Sequence, residues 1–327
     1  MSPIEVIEFR PEHVIHWKDF LQQSNNGTLF HDLDFLAYHA AEKFNTHHLL
    51  FREDGKWVAL LPAALAVDDE GRRILKSPYG ASVGGFALPR RQSVETTHSL
   101  VARLQEYATA SEFDGIEMRV SPYIYLREPN DHLSYALSAN GFQLSHRWLC
   151  HSVALATESQ DTLAQFKRGK QRDIRAGLRR NLQPREVAAD MLKEFYDLLL
   201  ATETKHGAKP THRLEELEDL FRRVPNRLRL FLCARSGREF AGVLVFVLNS
   251  VAAYTFYICQ DESGDEPYAT TVLVAYIAQK FGTDGFRHLD LGPSSFDDFT
   301  LNRGLVFFKE GFGARGFCRD SWRWVRG

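Results

Sequence analysis

The sequence predicts a duplicated α/β (α+β) chain of two tandem domains, each a mixed twisted sheet flanked by helices, with a helical insertion between the repeats. Three observations carry this reading. The order meander–helix–strand–helix–strand occurs twice along the chain. Each long helix passes into its next strand through the same pair, Asp114-Gly115 in the first half and Asp284-Gly285 in the second. The length of 327 residues suffices for two domains of roughly 150 residues each. The expected division is 1–154 and 155–327, the second domain comprising a helical, basic segment 160–224 and a sheet core 228–325.

In the first half, residues 11–22 and 34–44 carry apolar spacing for two helices, joined by the Ser24-Asn25-Asn26-Gly27 turn. His48–Arg52 and Trp57–Val67 form a hairpin about Asp54-Gly55. Asp68–Arg73 is polar, and Ile74–Leu88 is rich in small residues, among them Ser77-Pro78-Tyr79-Gly80 and Gly84-Gly85. Ser93–Phe113 has a helical apolar face (Val101, Leu104, Ala108), and Ile116–Val120 is a strand. Asp131–Ala139 is a helix closed by Asn140-Gly141, before strand Phe142–Ala154.

In the insertion, Asp161–Leu182 sets Lys167, Arg168, Lys170, Arg172, Arg175, Arg179 and Arg180 against the single acid Asp173. Arg168, Arg172, Arg175 and Arg179 fall on one helix face. Such a stripe repels itself unless anions meet it, so it reads either as a solvated surface paired with acids elsewhere or as a phosphate-binding edge for a nucleotide-linked precursor or tRNA. A helix over Met191–Leu200 follows, then Thr202-Glu203-Thr204-Lys205-His206-Gly207. The repeat resumes with strands Leu228–Arg235, Glu239–Leu248 and Val251–Cys259, helix Tyr268–Phe281 and strand Phe286–Leu291. Gly292-Pro293 ends that strand, Phe299–Phe308 has helical spacing, and Phe317–Val325 closes the unit. Gly311 and Gly313 are expected to stop the helix, because glycine accepts the left-handed cap conformation.

Lys309 stands out. It follows Val306, Phe307 and Phe308, where a strand end, a loop and a helix end would meet. By itself it reads as a solvated lysine favoured by the helix dipole.

Composition excludes several classes. Hydrophobic residues make up 44% and charged residues 25%, as in an ordinary globular protein, and the net charge of −2 leaves polyanion binding to a local patch. The four cysteines, Cys150, Cys233, Cys259 and Cys318, form no C-x-x-C pair and read as free, buried thiols in a reducing compartment. No metal site is expected, and Gly292-Pro293-Ser294-Ser295 fails the nucleophile-elbow pattern at its last position. Ser294 and Ser295 read as loop or cap residues. The acidic N-terminus and the absence of a long apolar run point to a cytoplasmic protein.

Asp290-Leu-Gly292, a loop with Asn302, and then Phe308-Lys309-x-x-Phe312-Gly313 resemble the end of the Fem-type (FemAB-like) peptidyltransferases. The basic Arg-x-x-Ile-Arg-x-x-x-Arg run and the Thr202–Gly207 segment are similar to the same pattern, and the resemblance extends over nearly the whole chain. It implies two tandem GNAT-like domains and an acyl- or aminoacyltransferase. The donor would be aminoacyl-tRNA or acyl-CoA, with no permanently bound cofactor, and the acceptor an amine of a cell-wall or glycan precursor. It further implies tRNA as a partner and peripheral contact with a membrane-linked precursor. The implied catalytic residues are Lys309, Phe308, Asp290 and Asn302. The implied substrate-binding residues are Arg172, Arg175, Arg179, Tyr79, Gly84, Gly85 and His206. One departure concerns the lysine such enzymes carry after a Phe-x-Gln-Ser-x-x-Trp pattern, which has no counterpart in Phe30–Ala40.

Two other readings stand beside this one. The first is a CoA-dependent N-acyltransferase acting on an amino sugar or polysaccharide precursor. Against it, the loop Gln260–Pro267 carries four carboxylates where a CoA diphosphate would sit; for it, Leu88–Ser93 in the first half is basic and precedes a helix. The second is a non-catalytic module that binds a nucleotide-linked glycan or RNA.

Overall fold

The computed structural model describes residues 3–40, 42–155, 162–205 and 207–327. The chain makes two compact units, Met1–Trp148 with Cys318–Gly327, and Leu149–Phe317. The last strand thus returns to the first unit, an exchange that a single cut at 154/155 leaves out.

In the first unit, β1 (Glu5–Glu8) leads through a short 3-10 turn into α1 (Val14–Gln23), in line with the helix expected over 11–22. The helix expected over 34–44 shrinks to α2 (Leu33–Leu36). Beyond Ala37 the rings of Tyr38, His39, Phe44 and Tyr79 pack on one another, and His39 Nε2 meets the Gly80 carbonyl at 2.9 Å; these tertiary contacts replace continued helix. After β2 (Asn45–Thr46) comes the expected hairpin, β3 (Leu49–Glu53) and β4 (Lys56–Leu61). The single strand expected over Trp57–Val67 breaks at Pro62, and β5 (Ala64–Val67) joins a different sheet. Proline has no N–H to give a ladder, and the Pro62 carbonyl instead accepts the Ser77 hydroxyl at 2.5 Å. β6 (Arg73–Ser77) lies where polar and small residues obscure any strand pattern, and it runs parallel to β7 (Gly115–Arg119). The crossover is α3 (Val94–Ala110), whose Ser93 cap accepts from Thr96 N–H. α4 (His132–Ala139) precedes β8 (Gln143–Ala154).

In the second unit, α5 (Arg168–Arg179) carries the basic run, and β9 (Gln183–Val187) interrupts the insertion, which is expected to be wholly helical. Gln183-Pro184-Arg185-Glu186-Val187 is a polar, proline-bearing edge strand, a composition that discourages further pairing and hides the strand from an apolar-pattern reading. α6 (Leu192–Lys205) and α7 (Leu214–Arg223) lead to the antiparallel meander β10 (Leu228–Arg235), β11 (Arg238–Val247) and β12 (Ala252–Gln260). α8 (Ala269–Thr283) is buried along most of its length and crosses to β13 (His288–Pro293), which runs parallel to β12. α9 (Arg303–Gly311) and β14 (Arg315–Val325) complete the chain. The second unit's strand order is β8-β13-β12-β11-β10-β9, and β14 pairs with β7 in the first unit. The core of this unit is Phe231, Val243, Val245, Leu273, Ile277, Phe281 and Leu289, all fully buried.

Candidate active site

β12 and β13 pair only at Ala252–His288, Ala253–Leu289 and Tyr254–Asp290. Beyond that point β12 continues to Gln260 against β11, while β13 bulges away, its register on β8 shifting between Asp290 and Pro293. Gly292 makes the bulge, with φ +81 and a position where a Cβ would meet the Tyr254 ring at 3.3 Å. The Asp290 carboxylate holds it by accepting Gly292 N–H at 2.6 Å, a short side-chain-to-backbone turn. Two parallel strands that part in this way leave a wedge between them.

The wedge is a pocket of about 540 Å³. Its walls are β12 (Tyr254 to Gln260), the β13 bulge (Leu291, Gly292, Pro293), and Leu305, Phe308 and Lys309 of α9. Thr202 and Glu203 from the end of α6, Glu262 and Thr270 complete it.

Lys309 is not a solvated helix-end lysine. It is 3% exposed, and its ammonium donates to the carbonyls of Gly292 at 2.9 Å and Pro293 at 2.6 Å and to Ser294 Oγ at 3.2 Å. An ammonium surrounded by carbonyl acceptors offsets its desolvation cost through hydrogen bonds while keeping its charge beside the pocket. Phe308 lines the pocket and carries the Lys170 ammonium over its face at 4.3 Å; Lys170 also lies over Phe312 and donates to Thr271 Oγ1 at 3.2 Å. Burial lowers the Lys170 pKa.

The other expected residues are distributed differently. Asp290 is fully buried and shapes the bulge from behind. Asn302 caps α9, its side chain accepting Leu305 N–H at 3.1 Å and its own N–H reaching the Ser294 carbonyl at 2.9 Å. The helix expected from Phe299 begins only after this cap, because Phe299 takes φ +66 and Leu301 bridges to Ser295. It also runs through Gly311, and the left-handed residue is Gly313 alone of the two glycines. Arg172, Arg175 and Arg179 lie exposed on α5. Arg172 meets Asp173 at 3.6 Å, and no described residue pairs with Arg175 or Arg179. In the first unit Tyr79 is buried, its hydroxyl 3.2 Å from His48 Nε2, and burial raises its pKa. Gly84 and Gly85 pack against Ser77-Pro78: a Cβ on Gly84 would lie 2.9 Å from Pro78 N, and Gly85 N–H donates to Ser77 Oγ at 2.8 Å. His206 lies outside the described residues.

Three features are not legible in the sequence. Glu203 projects into the pocket as a half-buried carboxylate that no described side chain pairs with; its only sequence signal is the Thr202–Gly207 match. His151 on β8 lies 2.9 Å from Ser294 Oγ, linking a buried histidine to Lys309. The four carboxylates of Gln260–Pro267 are each met by a cation: Asp261 and Asp265 by Arg238, Glu262 by Lys205, and Glu266 by Arg180 and Arg235. The repulsion of a diphosphate expected from the bare sequence is therefore offset. Of the cysteines, Cys150, Cys233 and Cys259 are buried as expected, but Cys318 is exposed, on the outer side of an alternating strand.

Residues 165–299 match the family model of the acetyltransferase (GNAT) domain. That match lies within the second unit and supports an acyltransferase. The GNAT fold extends over the whole chain as a tandem pair. FemX superposes with a TM-score of 0.72 at 13% identity, covering 98% of this chain and 97% of that one. The C-terminal domain of a putative lysylphosphatidylglycerol synthetase from Agrobacterium fabrum superposes at 0.58 and 15%, covering 97% and 92%. A tandem GNAT protein from the clavulanic acid biosynthesis pathway does so at 0.55 and 13%, covering 99% of both chains. At these identities the likeness is one of fold, and it agrees with the Fem-type resemblance of the Phe308-Lys309 motif. Among curated proteins none matches the chain. Among the described residues, no helix is long and apolar enough to cross a membrane.

Proposed function

We propose that the protein transfers an aminoacyl group from an activated donor, aminoacyl-tRNA, to an amine of a cell-wall or glycan precursor. The observation that carries this reading is the buried Lys309 ammonium, held on the Gly292 and Pro293 carbonyls in the lining of the β12–β13 wedge. Supporting it are the Phe308-Lys309-x-x-Phe312-Gly313 motif, the fold shared with FemX and with a putative lysylphosphatidylglycerol synthetase, and the arginine stripe of α5. The acceptor amine attacks the ester carbonyl, a C–N bond forms, and negative charge collects on the carbonyl oxygen. A cation fixed beside that oxygen is worth about 3 kcal/mol of barrier, as for a single oxyanion-hole donor. Glu203 takes the proton that the attacking nitrogen must lose, and returns it to the departing ribose oxygen as the C–O bond breaks. Tyr257 is unsuited to that step, because its hydroxyl holds His212 and burial pushes its pKa up to about 12. Glu262 is bound by Lys205. Phe308 excludes water, while Arg172, Arg175 and Arg179 receive phosphates.

A second reading, transfer from acyl-CoA, is favoured by the acetyltransferase family match over 165–299 and by the neutralised Gln260–Pro267 loop. In the first unit Arg90 and Arg91 also line a pocket of about 1120 Å³ together with Lys56 and Trp57. One experiment separates the readings. The purified protein is incubated with a pool of charged tRNAs or with acyl-CoA donors, plus cell-wall precursors, and products are weighed by mass spectrometry with Lys309→Ala as control. Aminoacyl mass that disappears in the variant supports the first reading, and mass gained only from CoA replaces it with the second. No added mass from either donor leaves a binding module.

A further inference from the structure

Lys309 already has three acceptors for its three ammonium hydrogens: Gly292 O, Pro293 O and Ser294 Oγ. Stabilising an oxyanion, as the reading above requires, means that one of them must be given up. The two carbonyls belong to the bulge, whose flanking residues are tied to β8 by Asp290–Ser152 and Pro293–Cys150 pairing. Ser294 is different. Its backbone is fixed, its N–H on the Leu149 carbonyl at 2.7 Å and its carbonyl on Asn302 N–H at 2.9 Å, yet its hydroxyl can rotate. It makes the longest of the three contacts with Lys309, and it has a second partner, His151 Nδ1 at 2.9 Å. Lysine can only donate, so Ser294 Oγ accepts from Lys309, which leaves its own hydrogen available to His151 Nδ1, the direction taken here. That arrangement requires the neutral imidazole with its proton on Nε2.

We propose that His151 and Ser294 are positioning residues for Lys309: together they aim the ammonium at the pocket, and His151 retains the Ser294 hydroxyl when Lys309 transfers its third hydrogen bond to the substrate oxygen. His151, Ser294 and Lys309 are each at least 96% buried, so the chain of contacts operates away from bulk water. The charged groups acting on the imidazole are Lys309 and Glu310 from α9 and Asp290 from β13. Burial and Lys309 hold its pKa below the ordinary histidine value, against the pull of the two carboxylates. On protonation, Nδ1 ceases to accept and a second cation faces Lys309, so aim and rate are lost together as pH falls through that pKa.

This inference rests on the transferase reading for its kinetics but is also tested apart from them. In the wild type, the Lys309 side-chain amine resonance, followed by NMR with labelled lysine, shifts as His151 titrates. In His151→Asn, whose amide oxygen accepts where Nδ1 did and does not titrate, that shift disappears. A Lys309 resonance indifferent to His151 titration overturns the proposal whether or not the protein transfers anything. With turnover established, His151→Phe and Ser294→Ala each lower kcat roughly tenfold with KM nearly unchanged, as expected when one hydrogen bond made in the transition state is removed. His151→Asn restores kcat to within about threefold and removes the acid limb of its pH profile. A His151→Phe variant with wild-type kcat and an unaltered acid limb overturns it kinetically. The proposed aminoacyl function fails separately, when the wild type itself transfers nothing from charged tRNA.

Discussion

The proposed chemistry depends on where one ammonium is held. A lysine in the last turn of a helix is favoured by the dipole and ordinarily ends in water. Here the β13 bulge turns two carbonyls toward Lys309 and draws it inward. Lys309→Ala should therefore lower kcat/KM for transfer by about 10²–10³-fold, checked by steady-state kinetics with the confirmed donor. Lys309→Arg should not restore it, since a planar guanidinium cannot present three tetrahedrally arranged donors to these acceptors. Gly292 tests the same arrangement from the backbone side. At φ +81, with Tyr254 at 3.3 Å from the added methyl, Gly292→Ala should cost about 1–2 kcal/mol in urea unfolding. An unchanged midpoint would mean that the bulge is not held as described.

At the scale of elements, α9 is aimed by its cap and α5 carries unbalanced charge. Asn302→Ala should cost about 1 kcal/mol, and Asn302→Asp should recover most of it. A transfer rate that falls far beyond the unfolded fraction at the assay temperature would instead give Asn302 a direct part in binding. On α5, Arg172, Arg175 and Arg179 are exposed along one face, a repulsive arrangement in the free protein. Replacing all three by Gln should leave the urea midpoint at low salt unchanged or higher. It should also flatten the salt dependence of tRNA binding, by about 0.7–0.9 in log–log slope for each phosphate that is no longer neutralised. A fall in stability with an unaltered slope would make the stripe structural.

At the scale of the whole molecule, the two units can be observed separately. All five tryptophans, Trp17, Trp57, Trp148, Trp322 and Trp324, belong to the first unit, so selectively excited tryptophan fluorescence reports that unit. The same unit buries His31 and His48, and burial lowers both pKa values to about 4. The folded state then binds fewer protons than the unfolded chain between the ordinary histidine pKa and about 4. The stability these two groups contribute is complete above the ordinary value and is lost as pH falls through that window. The urea midpoint followed by fluorescence should accordingly drop between pH 7.5 and pH 5. A midpoint that stays constant over that range rules out buried neutral histidines as the source of acid sensitivity.

The repeat, the helices with clear 3.6-residue faces (α3, α6), the long apolar run of α8 and the Phe308-Lys309 motif are legible in the sequence, because periodicity, composition and motif are local properties. The strands β6 and β9 are not: one is a short stretch flanked by polar and small residues, the other a polar edge strand, and both are stabilised by pairing partners distant in sequence. For the same reason a continuous apolar run conceals the break at Pro62, where the halves of one expected strand join different sheets. Sequence alone determined that the chain is a duplicated α/β protein with a distinctive lysine near its end. Only the tertiary structure decided that this lysine is buried, that Asn302 caps a helix, and that Glu203, His151 and Ser294 share its surroundings. Those residues lie on separate elements, and long-range strand pairing with the β13 bulge, rather than any local propensity, brings them together.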